Sequence, residues 1–223
     1  MTGMTGNLRY ADRTEGGRRL ARELEEMQRA DGLPDPLVLA LPRGGVPVAQ
    51  EVARALRAPL DVVVARKIGL PGRPEFGIGA IAGEDPPVFD ADALQMLGLT
   101  EDRLSAEVAH ERGELHRRER LYRGDRPAPR TAQRTLIVVD DGLATGVTAR
   151  AALRHLRRQR PERLVLAVPV GAPQSVTALR EEADVVICPQ QPEPFEAVGL
   201  WYEDFPQTSD EEVVAALHPT TAR

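Results

Sequence analysis

The chain has 223 residues, 42% of them hydrophobic, and a net charge of -5. That length holds one sizeable α/β domain, the acidic balance excludes a general nucleic-acid surface while leaving room for a local basic pocket, and the single cysteine, Cys188, excludes an intrachain disulfide. The opening MTGMTGNLRYADRTEGG has no apolar leader core and no run is long enough to span a bilayer, so the reading is a soluble, cytoplasmic protein with no membrane partner.

In chain order, Leu20, Leu24 and Met27 share a helical spacing that predicts a helix over residues 14–30, ended by DGLPDP. Residues 37–41 (LVLAL) read as a short strand, Gly45–Leu56 as a helix, and residues 60–65 (LDVVVA) as a second strand rich in β-branched side chains. The Gly/Pro-rich stretch 66–87 reads as a long loop or β-flap. It opens on Arg66 and Lys67, and Lys67 is the only lysine among 29 Lys plus Arg residues. An ammonium is a compact point charge that a planar guanidinium does not replace.

Residues 91–122 read as mostly helical, and their alternating charges predict a solvated face. HERGELH at 110–116 is rejected as a zinc helix, because Glu114 stands where a histidine is required. After a linker at 127–134 come a strand at 135–139, a helix at 147–157, a strand at 163–170, a helix at 173–182 and a strand at 184–189. An aromatic, irregular segment covers 193–205, and SDEEVVAAL at 209–217 predicts a capped helix. Apolar strands alternating with helices predict a parallel sheet covered on both faces.

The strand at 135–139 runs directly into Asp140 and Asp141, then into GLATGVT and a helix. Ligands of such sheets bind beyond the carboxyl ends of the strands. Gly142 and Gly146 permit tight backbone, the amides at the helix start point outward, and Thr145 and Thr148 add hydroxyl donors, which together make a phosphate cradle. Two carboxylates beside it suit vicinal hydroxyls, as in a ribose 5-phosphate. The spacing is neither a Walker loop nor G-x-G-x-x-G. On the residues alone, an ordinary helix-capping acidic pair remains open.

LIVVDDGLATGVTA at 136–149 resembles the PRPP-binding motif of type I phosphoribosyltransferases. The resemblance implies that Asp140 and Asp141 bind the ribose hydroxyls, with a part through a metal's waters, and that Ala144, Thr145, Gly146, Val147 and Thr148 bind the 5-phosphate. LALPRGGVPVA at 39–49 resembles the pyrophosphate loop, which implies amides of Gly44 and Gly45 and the charge of Arg43 on pyrophosphate. It also implies a tight turn at 42–44 with a cis peptide between Pro42 and Arg43. VVARKIGLPG at 63–72 resembles the strand end and flexible loop of adenine phosphoribosyltransferases. That implies Arg66 and Lys67 facing the phosphates, Lys67 from a strand's carboxyl end and acting on the leaving group.

The likeness spans about residues 35–205. It implies a single domain over 1–223 with the type I phosphoribosyltransferase fold: a parallel sheet with helices on both faces, a flexible loop plus charged helical insertion at 66–130, and a small C-terminal hood at 189–206. The implied reaction is attack of a nitrogenous base or amine on C1 of PRPP with Mg²⁺ as cofactor and pyrophosphate leaving. PFEAVGLWY at 194–202 faintly resembles the hood of 6-oxopurine enzymes, which implies stacking by Phe195, Trp201 or Tyr202 and base-edge reading by the backbone near Val198. Against that, Ala144 stands where those enzymes carry a proton-handling aspartate, as in adenine enzymes. Glu75 is a further acid/base candidate. The acceptor stays open, as do a homodimer, a reaction run in reverse, and a non-catalytic PRPP-sensing regulator on the same fold.

Overall fold

The computed structural model describes residues 9–218, so residues 1–8 of the opening read above for a leader lie outside the described residues. The chain runs α1 (Arg13–Ala30), β1 (Pro36–Ala40), α2 (Gly45–Leu56), β2 (Leu60–Val62), β3 (Ala65–Leu70), β4 (Arg73–Ala82), β5 (Val88–Phe89), α3 (Ala91–Leu97) and α4 (Ser105–Arg123). It continues with β6 (Thr135–Val139), α5 (Val147–Arg158), β7 (Arg163–Ala167), α6 (Pro173–Leu179), β8 (Val185–Ile187) and α7 (Asp210–Leu217). Among the described residues, no helix is long and apolar enough to cross a membrane.

Five strands form a parallel sheet in the order β2-β1-β6-β7-β8. Successive side chains leave a strand on opposite faces. Val38, Ala40, Ile137 and Val139 therefore join one core with Leu20 and Leu24 of α1, Val52 of α2 and Val213 of α7. Leu37, Leu39, Leu136 and Val138 join the other, with Ala152 and Leu156 of α5 and Val176 of α6. Both faces are covered, so the strands are mostly apolar, as the sequence predicts, with Asp61 of β2 buried against Arg123.

Two expectations need correction. The strand expected over 60–65 stops at Val62, and Ala65 begins a second, antiparallel sheet in the order β3-β4-β5. Of the loop or β-flap expected over 66–87, the structure has the flap, a hairpin of β3 and β4 with register shifts at Gly69. Its turn is Pro71-Gly72, with Gly72 at φ +78° and Leu70 paired to Arg73. Proline fixes the first turn position and glycine accepts the positive φ of the second. Glu75 lies in β4, but its side chain is outside the described residues.

The second correction concerns α4. The solvated face expected of 91–122 is one side of α4, because Leu115 and Tyr122 on its other side are fully buried. Its inner stripe packs on β3 and on α7, while α5 packs on the other face of the hairpin.

Candidate active site

Strands β1 and β6 are parallel neighbours in register, Ala40 beside Val139, so the turns that follow them emerge side by side. The turn after β6 begins with Asp140 and Asp141. The turn after β1 contains a cis peptide between Pro42 and Arg43, then Gly44 and Gly45. The two turns touch closely. A Cβ on Gly44 would overlap Asp141 Oδ2, and one on Gly45 would stand 2.6 Å from the Val139 carbonyl oxygen. Both glycines are therefore required by the approach of the acidic pair.

Asp141 has a partner 128 residues away in the chain. Arg13, the first residue of α1, donates from Nε to Asp141 Oδ2 at 2.9 Å and from Nη1 to the Pro206 carbonyl at 2.6 Å. Its guanidinium lies 3.6 Å from the centre of the Phe205 ring. Only 10% of the Arg13 side chain and 14% of the Asp141 side chain are exposed, so this is a buried ion pair. Asp140 Oδ1 accepts the Asp141 backbone N–H at 2.8 Å but has no cationic partner among the described residues.

Burial pushes both carboxyls up, and the two respond differently. At Asp140 the neighbouring Asp141 charge adds to desolvation, and the group sits well above the ordinary carboxylate range. At Asp141 desolvation is opposed by Arg13. Like charges this close do not both ionise readily, and the Arg13 contact favours the charge on Asp141 over Asp140.

The loop after the pair holds its shape through Leu143, whose N–H donates to Val170 and whose carbonyl accepts from Ala172 N–H, at 3.0 and 2.8 Å. Ser175 Oγ donates to the Ala144 carbonyl at 2.5 Å. Gly146 starts α5 at φ +72° with no side-chain cap. The first N–H groups of a helix have no intrahelical acceptor, and Ala144 and Thr145 are exposed while Gly146, Val147 and Thr148 are half-buried. These five residues form an open donor array beside the acidic pair, suited to a phosphate.

The side chains of Arg66 and Lys67 do not point the same way. Within β3 the two side chains alternate to opposite faces. Arg66 turns to α4 and binds Glu111, with Nη2 2.7 Å from Oε2. Lys67 is exposed on the α5 side, its stem lying across Gly77 of β4. It also sits beyond a break in the chain path rather than at the end of a core strand, because β2 ends at Val62. Arg43 lies beside α7, 3.9 Å from Asp210.

The hood candidates divide as well. Tyr202 is 3% exposed, packs its ring on Phe205 at 5.0 Å, and donates its hydroxyl to the Asp141 carbonyl at 2.6 Å. It is a strut between hood and acidic pair, not an open stacking surface. Burial and the Asp141 charge hold that phenol protonated far above its usual range. Val198 packs against Gly142, where a Cβ would stand 2.6 Å from Cγ1. Phe195 and Trp201 stack on each other at 6.2 Å, both half-buried. Cys188 donates to the Gln190 carbonyl, and burial pushes its thiol up to about 12, which rules out a thiolate nucleophile near neutrality.

Arg13 and the strut role of Tyr202 were missed by the sequence reading. One signal for Arg13 existed: a cation in the first turn of a helix opposes the helix dipole, so it calls for an outside partner.

The profile of the phosphoribosyl transferase domain family matches residues 9–203. A Mycobacterium tuberculosis (strain H37Rv) protein, named provisionally as a phosphoribosyl transferase, is 44% identical over 209 residues. That match covers 93% of this chain but 46% of the relative, so the chain spans under half its length. The crystal structure of the TT1426 protein from Thermus thermophilus is 42% identical, with TM-score 0.77, over 94% of this chain and 98% of that one. The AQ2163 protein of Aquifex aeolicus shares the fold at 10% identity, with TM-score 0.52 over 95% and 87% of the two chains.

Proposed function

The chain belongs to the phosphoribosyltransferase family, and on that premise we propose that it transfers the 5-phosphoribosyl group of PRPP to a nitrogenous base or amine. The observation that carries this reading is the seating of the Gly44 turn on Asp141, which brings the acidic pair, the open start of α5 and the turn after β1 together at the carboxyl end of the sheet.

In this reading the amides of residues 144–148 hold the 5-phosphate. Asp140 and the remaining lone pairs of Asp141 accept the ribose hydroxyls. A carboxylate has about four acceptor sites, and Arg13 takes one of them. The acceptor nitrogen forms its bond to C1 as the bond from C1 to the pyrophosphate oxygen breaks, and the electron pair leaves with pyrophosphate. Charge grows there, where Gly44 and Gly45 amides and Arg43 stand ready to stabilise it. Lys67 belongs to the same cleft only through the α5 face of the hairpin.

The acidic pair suits a divalent cation carried by the substrate rather than a resident one. Asp141 is already bonded to Arg13, and no cluster of three metal-ligating side chains occurs among the described residues. Mg²⁺ brought by PRPP and reached by Asp140 would neutralise charge on the leaving group.

Ala144 leaves no carboxylate at the loop position that handles a purine proton in 6-oxopurine enzymes. Hypoxanthine and guanine are therefore expected to be poor acceptors, by about 10²–10⁴ in rate. Titration calorimetry with PRPP and Mg²⁺, on the wild type and on Asp140→Asn/Asp141→Asn, tests the site. Unchanged binding in the double variant sinks the reading. A screen of nucleobases and amines for PRPP-dependent pyrophosphate release separates an enzyme from a PRPP-sensing regulator, which would bind without turnover.

A further inference from the structure

Asp141 Oδ2 is held from two sides. Arg13 donates to it from Nε at 2.9 Å, and the turn after β1 comes so near that a Cβ on Gly44 would overlap it. The same guanidinium reaches the hood. Its Nη1 donates to the Pro206 carbonyl at 2.6 Å, and its centre lies 3.6 Å from the middle of the Phe205 ring. Phe205 stacks on Tyr202 at 5.0 Å, and the Tyr202 hydroxyl returns to the Asp141 carbonyl at 2.6 Å. Arg13, Phe205, Tyr202 and Asp141 thus close a ring of contacts.

The chain just before Arg13 is already tied to the hood without it. The Tyr10 N–H donates to the Trp201 carbonyl, and the Tyr10 and Ala11 carbonyls accept from the Glu203 and Asp204 N–H groups, all at 2.8–2.9 Å. These are backbone bonds, open to any side chain at position 13. A cation in the first turn of α1 opposes the helix dipole, and a buried ion pair gains little over apolar packing. Folding alone therefore does not call for arginine here. What arginine supplies is a planar fork with a flat face, which meets a carboxylate, a carbonyl and a ring at once; an ammonium is a point charge and cannot.

We propose that Arg13 is a positioning residue that keeps the hood, Asp141 and the turn after β1 in one register, so that a ligand on the acidic pair is felt in the hood. What the two sides bind, ribose and acceptor, rests on the phosphoribosyltransferase reading. The register itself is a property of the chain without ligand.

Trp201, the only tryptophan of the chain, lies in the hood stacked on Phe195, so its fluorescence reports this segment. The first measurement is acrylamide quenching of Trp201 without ligand, in wild type, Arg13→Lys, Asp141→Asn and the double variant. Each single change is expected to raise quenching, and the double variant to raise it no further, since the two residues act through one contact. The second follows ribose 5-phosphate binding by calorimetry and by Trp201 emission. In wild type, binding should shift the emission. In Arg13→Lys the charge stays, affinity should hold within about 10-fold, and the emission shift should be lost. Quenching and emission as in wild type in Arg13→Lys overturn the proposal. So does an equal effect from Leu20→Ala, which loosens the α1 core without touching Asp141, because Arg13 would then only anchor the helix. If wild type does not bind ribose 5-phosphate, the ribose reading of the acidic pair falls, and the ligand-free quenching alone upholds or overturns the role of Arg13.

Discussion

Helices α5 and α7 begin in opposite ways. At α7, Ser209 Oγ accepts the Glu212 N–H at 3.1 Å and Glu212 Oε2 accepts the Ser209 N–H at 2.6 Å, a complete capping box. Helix α1 is also capped, by Asp12. At α5 the first residues include two threonines able to cap, yet Gly146 starts the helix and no side chain takes its amides. Helices α2, α4 and α6 also start without a side-chain cap, and of these uncapped starts those of α2 and α5 adjoin a carboxyl pair whose burial is only half compensated. The carboxyl pair beside them, not the missing cap alone, sets these two starts apart.

The largest expected effect comes from disturbing the compensated half. Arg13→Met leaves Asp141 buried and unpaired, which should cost about 3–5 kcal/mol. The folded-state pKa of Asp141 is already raised by burial and rises further without Arg13, above an unfolded value near 3.9. The folded variant then holds a proton that the unfolded chain releases, so its stability falls as pH rises. Melting temperatures at pH 5 and pH 8 check this: the deficit against wild type should be larger at pH 8. An equal deficit at both would show that Arg13 does not govern Asp141.

A smaller effect is expected from the turn that meets the pair. Gly44→Ala forces a methyl group against Asp141 Oδ2 and displaces either the carboxylate or the turn. Displacement of about 1 Å in such a site costs about 10² in turnover. PRPP-dependent pyrophosphate release, read beside ribose 5-phosphate binding, measures it. Full activity would mean the two turns need not touch.

The smallest effect belongs to α7. Ser209→Ala removes a satisfied cap and should cost about 1 kcal/mol, or about 2–4 °C in melting temperature. Ligand affinity should not change. If it does, the distinction between a helix start that serves the fold and one that serves the ligand disappears.

Much of this was legible in the residues themselves. The parallel sheet follows from apolar strands such as TLIVV, and the candidate phosphate loop from the acidic pair, Gly146 and the helix after it, because both depend on spacings of a few residues. The hairpin turn was present in Pro71-Gly72, but the stretch around it looked irregular because glycine is frequent there and the strand alternation is broken by register shifts at Gly69. That irregularity hid the strand character of Arg66 and Lys67, and so their opposite facing.

By itself the sequence determined which segments are strands and helices in the main sheet, and which loop collects two carboxylates beside a free helix start. Those are local properties, set by side-chain period and by backbone groups a few residues apart. Tertiary structure alone decided that Arg13 meets Asp141 across 128 residues, that Tyr202 braces the pair, and that Arg66 turns to Glu111 of α4. Each of those meetings depends on which helix packs on which strand and on the face each side chain leaves. A first-turn arginine can signal that it needs a partner, but nothing near it in the sequence says which of the carboxylates folding will set beside it.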